Sequence, residues 1–150
     1  MLTINEIEVS YHHDIPAPFW KKIDTSEDAA KILFDHWDKD TIGLHESFKV
    51  LLLNNSNKVK GIYEISKGGI TGTLVDIRIL FAVILKTLSV SVILAHNHPS
   101  GNLVAGPADR AVTKKIQKAA KLFDVKVLDH VILAPDGEYY SFSDSGILFK

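Results

Sequence analysis

The sequence predicts an α/β (α+β) domain, a mixed β-sheet flanked by helices. Apolar residues recur at helical spacing in three separate segments, 25–37, 77–89 and 107–123. Two pairs of strand-like runs, 47–54 with 58–66 and 126–134 with 139–143, are each joined by a polar turn. Between the second and third helical segments lies VSVILA (90–95), nearly unbroken in apolar character, as expected of a central strand covered on both faces.

Taken in order, residues 1–24 read as an arm, because the two prolines of IPAPF favour extended chain and leave Phe19 and Trp20 to dock on the body or on a partner. Residues 25–150 then form a single domain. Thr25 and Asp28 fit a capping box for the first helix, whose inner face carries Ile32, Leu33 and Trp37. DKDTIG (38–43) is a loop, and SFKVLLLN with KVKGIYEIS makes an antiparallel hairpin across NSN. GGITGT (68–73) reads as a connection: it lacks the Lys-Ser/Thr of a phosphate-binding loop and the spacing of a dinucleotide fingerprint. Asp76 caps a helix over 77–89 whose apolar face is Ile77, Leu80, Phe81, Ile84, Leu85 and Leu88. After VSVILA, Gly106 as N-cap and Pro107 at the first helical position start a helix to about Phe123 that buries Val112, Ile116, Ala119 and Phe123. KVLDHVILA and YYSFS pair across APDGE.

Composition narrows the functions. With 46% hydrophobic and 23% charged residues the chain has the mix of a soluble globular protein. A formal net charge of -1 gives no global positive field toward nucleic acid or acidic membranes. There is no cysteine, which removes disulfides and every thiolate metal site. The N-terminus MLTINEIEVSYHHD has no apolar core and is not a signal peptide. The longest strictly apolar stretch, ILFAVIL (79–85), is too short to span a bilayer, so the expected location is cytoplasmic, with no membrane partner.

The stretch that carries chemistry is LAHNHPSGN (94–102). His96 and His98 stand two apart where a strand runs out, so both imidazoles project to the same side and can meet one ion. Asp109 follows eleven residues after His98, at the third position of the next helix, where the helix dipole keeps a carboxylate ionised, as a ligand must be. Two histidines and one carboxylate with a fourth position open is the donor set of a catalytic zinc rather than a structural one. Zinc lowers the pKa of water from about 16 to about 7, and hydrolysis then needs a group to take a proton and pass it on. Glu64, at the end of the second hairpin strand, is the leading candidate, although spacing alone does not select it from eighteen acidic residues.

Residues from about 45 to 150 resemble the RadC-like branch of the JAB/MPN family, whose JAMM motif is a Glu followed at a distance by His-x-His-Pro, six residues, Ser, two residues and Asp. YEISKG, AHNHPSGN, PADRAVT and VLDHVIL carry the resemblance. It implies a cytidine-deaminase-like fold, zinc (Zn2+) on His96, His98 and Asp109, and Glu64 as general acid/base in a metallopeptidase or isopeptidase acting on a peptide or protein. Two departures stand out. The family serine is Gly106 here, and losing one oxyanion donor typically costs about 10²–10³ in rate; a backbone N–H near the helix start is the partial substitute. Longer RadC proteins resemble helix-hairpin-helix DNA-binding proteins in their front part, and residues 1–44 show nothing of the kind. The alternative expectation is therefore a metal-binding module that is catalytically weak or silent, or a DNA-repair accessory.

Other groups have plainer readings. Asn97 and Ser100 shape the loop, since no histidine is left to complete a triad. Asp129 and His130 are adjacent on a strand and face opposite sides, so one of them can orient a zinc histidine and the other is a core or edge residue. Arg110, Lys114, Lys118 and Lys121 line one helix face, read as solvated, with a phosphate-contacting stripe as the rival reading. His12, His13, His36 and His45 are assigned no role, and oligomeric state is left open.

Overall fold

The computed structural model describes residues 3–68 and 74–149, so most of the GGITGT connection falls outside the described residues. Three helices, α1 (Ser26–His36), α2 (Ile77–Lys86) and α3 (Pro107–Lys121), alternate with five strands: β1 (Ser47–Leu53), β2 (Val59–Lys67), β3 (Ser91–Asn97), β4 (Lys126–Leu133) and β5 (Tyr139–Ser141). The sheet order is β2-β1-β3-β4-β5, with β3 and β4 parallel and every other neighbour antiparallel. This is the mixed sheet flanked by helices that the sequence predicts. Among the described residues no helix is long and apolar enough to cross a membrane.

Local chemistry explains where the helices begin and end. The Asp28 N–H donates to Thr25 Oγ1 at 3.1 Å while the Thr25 N–H donates to Asp28 Oδ2 at 3.0 Å, closing the expected capping box on α1. Asp76 caps α2 by accepting from the Arg78 N–H at 2.9 Å. Two helices stop earlier than periodicity predicts. α2 ends at Lys86 because the Thr87 hydroxyl turns back onto the Val83 carbonyl at 2.9 Å and Leu88 adopts a left-handed φ of 52°. Leu85 and Leu88 are consequently exposed rather than part of the inner face. α3 ends at Lys121, and Phe123 lies exposed with its ring against Phe81 before Asp124, at φ 54°, turns the chain into β4.

The sheet divides the interior in two. On one face α1 packs Ala29, Ala30 and Leu33 against Leu51, Leu53, Ile93, Ala95, Val131 and Leu133. On the other, α2 and α3 pack Leu80, Ile84 and Ile116 against Phe48, Val50, Leu52, Val92 and Leu94. Every residue of β3 is buried, as the apolar run 90–95 predicts for a strand covered on both sides. Asn97 ends this strand. Its side-chain carbonyl accepts from the Ser47 N–H at 2.8 Å and its amide donates to the Ile42 and His45 carbonyls at 2.8 and 2.9 Å. One buried amide thus ties the whole 42–47 segment to the end of β3, the loop-shaping role expected of it.

Residues before α1 run along β2, with the Val59 N–H donating to the Lys21 carbonyl at 2.8 Å and the Ile23 N–H to the Asn57 carbonyl at 2.9 Å. Trp20 docks at home: its indole N–H donates to the Ile15 carbonyl at 2.8 Å and its ring meets His13, whereas Phe19 is exposed. A cavity of about 670 Å³ between this segment and β2 is lined by Tyr11, Trp20, Ile62 and Val83 among others, and none of His96, His98 or Asp109 reaches it. The basic side chains of α3 face solvent, and Lys114 lies over the Phe149 ring.

Leu33 has no exposed surface and sits at the centre of the α1 layer. Leu33→Ala is expected to lower the unfolding free energy by about 2–5 kcal/mol, the usual cost of truncating a fully buried leucine, as read from the urea midpoint at unchanged slope.

Candidate metal centre

The site lies where β3 runs out against the start of α3. His96 is the sixth residue of β3, and the strand continues one step further, since the His98 N–H donates to the Leu133 carbonyl at 2.9 Å. Period-two alternation therefore sends His96 and His98 to one side and Asn97 to the other. Pro99 and Ser100 then make a turn, closed by the Gly101 N–H on the His98 carbonyl at 3.0 Å, with Gly101 at φ 81°, a backbone conformation that favours glycine. The turn brings the Asn102 carbonyl back to 2.6 Å from His98 Nδ1. Gly106 and Pro107 open α3 as expected, placing Asp109 in its first turn.

These elements bring the three predicted ligands together. His96 Nε2 and His98 Nε2 are 2.9 Å apart, Asp109 Oδ1 is 3.2 Å from His96 Nε2, and Asp109 Oδ2 is 3.4 Å from His98 Nε2. One ligand atom from each residue lies within 4.8 Å of the others. His96 is buried, while His98 and Asp109 are partly open on the solvent side, which leaves an approach for a further ligand.

Hydrogen-bond bookkeeping shows what the cluster lacks. A carbonyl only accepts, so His98 must donate its Nδ1 proton to Asn102, and neutral His98 then presents a bare Nε2. On the far side of His96, its Nδ1 stands 2.7 Å from His130 Nε2, and His130 Nδ1 stands 2.6 Å from Thr113 Oγ1. The Thr113 hydroxyl has one proton, within reach of the Asp109 carbonyl at 2.7 Å and of His130 Nδ1 at 2.6 Å. When it points to the carbonyl, His130 carries its proton on Nδ1 and accepts at Nε2, His96 donates from Nδ1, and two Nε2 lone pairs converge with a carboxylate. When it points to His130, the chain reverses and His96 donates from Nε2 to Asp109. The first arrangement suits a cation, and imidazole nitrogen with carboxylate oxygen is the chemistry of zinc and its first-row neighbours.

The electrostatics agree. Burial by itself would raise the Asp109 carboxyl, but hydrogen bonds from His96 and His98 and from the Gly106 N–H outweigh it and hold Asp109 well below the usual carboxylate range. The Gly106 N–H donates to Asp109 Oδ2 at 2.9 Å, so that amide is committed to the ligand and does not substitute for the missing serine hydroxyl. His98 is raised above its ordinary 6.5, first by its hydrogen bond to Asp109 against the opposing effect of burial, then by Asn102 and by the charges of Asp109 and Glu46. His130 is fully buried, and desolvation holds it neutral. Asp129 points the other way, accepting from Ser141 Oγ at 2.6 Å and the Ser143 N–H at 2.9 Å, which anchors β5. Of the adjacent pair, His130 is the one that orients a ligand.

The structure does not bring Glu64 to this cluster. Glu64 pairs with Lys49, and Lys49 pairs with Ala95, whereas His96 pairs with Phe48. Directly opposed residues share a face, so Glu64 lies on the α1 face and His96 on the other. On the α1 face Lys49 sits over the Trp37 ring at 4.3 Å, and the Glu64 charge acts on Lys49 and His36. The bulge between Phe48 and Lys49, where Ile65 is the extra residue, is invisible in the sequence and decides this parity. The carboxylate whose charge reaches His98, besides that of Asp109, is Glu46. It precedes β1 by one residue, with the parity of Phe48, and its carbonyl accepts from the Gly68 N–H at 2.8 Å, extending the ladder to the mouth of the sheet. The available signal was the acid just ahead of SFKVLLL, the strand that pairs with the histidine strand.

A proton on His98 competes with a metal ion, so zinc affinity is expected to climb with pH by about tenfold per unit up to the raised His98 value and to level off above it. In the metal-free protein the sign reverses: a raised histidine stabilises fully below pH 6.5 and loses that contribution as pH rises through its folded value. The depressed Asp109 contributes above 3.8 and loses its contribution as pH falls through its folded value. Chelator competition and urea melts across the pH range check both signs.

A family model described as "RadC-like JAB domain" matches residues 23–147. A "UPF0758 protein" of Flavobacterium johnsoniae is 49% identical over 129 residues, covering 85% of this chain and 54% of the relative. A "UPF0758 protein" of Porphyromonas gingivalis is 41% identical over 103 residues, covering 69% of this chain and 45% of the relative. The chain thus spans about half the length of the curated relatives it matches. With a His-His-Asp cluster at the end of its central strand and a family match over most of its length, the chain belongs to the RadC-like JAB domain family.

Proposed function

We propose that this chain is a zinc-dependent hydrolase of amide bonds in a peptide or protein, with His96, His98 and Asp109 holding the ion. The observation that supports this most strongly is the convergence of two bare Nε2 atoms and an ionised carboxylate at 2.9–3.4 Å with one side open. When bound, zinc supplies Lewis-acid polarisation of a carbonyl and acidification of water.

The remaining work falls to the chain's own groups. Glu46, on the segment that the Asn97 amide ties to the end of β3 and with its charge felt at His98, takes a proton from the attacking water at its carboxylate and returns it to the departing amine. His96 and His98 keep their Nδ1 protons on His130 and Asn102 and so stay oriented with Nε2 inward. Phe48 stacks on the His96 ring, centroids 6.0 Å apart, and shields that side of the site from water.

Gly106 motivates the second reading, a module that binds metal without turnover. A Cβ built at Gly106 meets only Asp109 Oδ2 at 3.6 Å, an ordinary contact, so a serine fits there. Gly106→Ser is expected to raise kcat by up to about 10²–10³ if an oxyanion donor is what the site lacks. No gain, with zinc bound and the protein folded, favours the silent module.

For the hydrolase, Glu46→Gln should retain one equivalent of zinc while kcat falls by about 10²–10⁴. Glu64→Gln should leave both zinc content and kcat unchanged. Metal analysis and amide hydrolysis on the same preparations check this, and a wild type that binds no zinc overturns the reading.

A further inference from the structure

We infer that Thr113 and His130 are positioning residues for the metal centre, forming a buried chain of hydrogen bonds that holds a proton on His96 Nδ1 and so leaves its Nε2 free when an ion binds. This deepens the metal reading and rests on it.

The chain runs from His96 Nδ1 to His130 Nε2 at 2.7 Å, from His130 Nδ1 to Thr113 Oγ1 at 2.6 Å, and from Thr113 Oγ1 to the Asp109 carbonyl at 2.7 Å. An ion on His96 Nε2 requires the His96 proton on Nδ1; His130 then accepts at Nε2 and donates from Nδ1 to Thr113, whose own proton goes to the Asp109 carbonyl. Every group in that order has a partner. The reversed order, with Thr113 donating to His130, also satisfies each link, but it puts a proton on His96 Nε2, directed at Asp109, where it occupies the position of the ion. A hydroxyl that both donates and accepts is what lets the chain take the metal-binding order.

The fold keeps water from relaxing this order. His130 has no exposed surface, and Thr113 and His96 are 2% and 3% exposed. Phe142 stacks on one face of the His130 ring at 4.5 Å, and Phe48 meets it edge-on at 5.5 Å. Chain connectivity makes the arrangement a ring: Thr113 lies one turn beyond Asp109 on α3, so the same turn that supplies the carboxylate ligand also anchors the far end of the chain behind the histidine ligand on β3. The two ligands are thereby set by one another, although they come from different elements.

Thr113→Val keeps the shape and removes the hydroxyl; Thr113→Ser restores it. Zinc affinity is measured by competition with a chromophoric chelator on wild type and both variants, with urea melts confirming that each is folded. Thr113→Val is expected to weaken zinc binding by about 10–100-fold, and Thr113→Ser to stay within a few-fold of wild type. Equal affinity in folded Thr113→Val overturns the inference. A second readout needs no variant: the imidazole 15N–1H spectrum of zinc-loaded wild type should show His96 and His130 each protonated on Nδ1, and protonation of His130 on Nε2 overturns the inference even if Thr113→Val does not fold. Absence of zinc binding in wild type instead overturns the proposed function on which the inference rests.

Discussion

The alternation of side chains at the end of β3 is the constraint from which the rest of the site follows. β3 is buried on both faces and paired on both edges, so its register cannot slip without turning a row of aliphatic side chains the wrong way. That rigidity is carried past the apolar residues into His96, Asn97 and His98. The histidines inherit one side of the sheet and meet α3; the asparagine inherits the other and captures the segment that carries Glu46. A three-residue polar sequence is thus positioned by the packing and pairing of the apolar strand that leads into it.

What results is a polar cluster held in an unfavourable state by favourable surroundings. Two imidazole lone pairs and a carboxylate repel one another, and each is fixed from behind: His98 by Asn102, His96 by His130, Asp109 by the Gly106 amide. Fully satisfied outer partners combined with unsatisfied inner ones are a means of storing affinity for a cation, because little reorganisation remains to be done when the ion arrives. The same arrangement explains why Asp109 stays ionised despite partial burial. Below the raised His98 value a proton takes the place of the ion.

The sheet also sorts the acids. Glu64 and Glu46 lie near opposite ends of the β1–β2 hairpin's strands in sequence, yet only one is on the side of the histidines, and the bulge at Ile65 is what separates them. Glu64 instead compensates Lys49, a cation over the Trp37 ring whose burial lowers its pKa and on which the Glu64 charge exerts the largest opposing effect. An acid in a sheet has its face assigned by the ladder, and one extra residue in one strand changes which acids can do chemistry.

The order of elements, the central strand, both helix caps and the His96, His98 and Asp109 set were legible in the sequence, because each rests on periodicity or on short-range spacing. A strand alternates by two, a helix N-cap is a local hydrogen bond, and a carboxylate in the first turn of a helix is fixed relative to that turn. Helix ends at Thr87 and Leu122 were misjudged because side-chain back-bonding and left-handed residues compete with an apolar pattern that continues past them. Only the tertiary structure decided that Glu64 and His96 lie on opposite faces of the sheet, that Asn97 anchors the 42–47 segment, and that Thr113 and His130 stand behind His96. Those contacts join residues 17 to 55 positions apart on different elements, and strand register with its bulge, which no local pattern encodes, sets them.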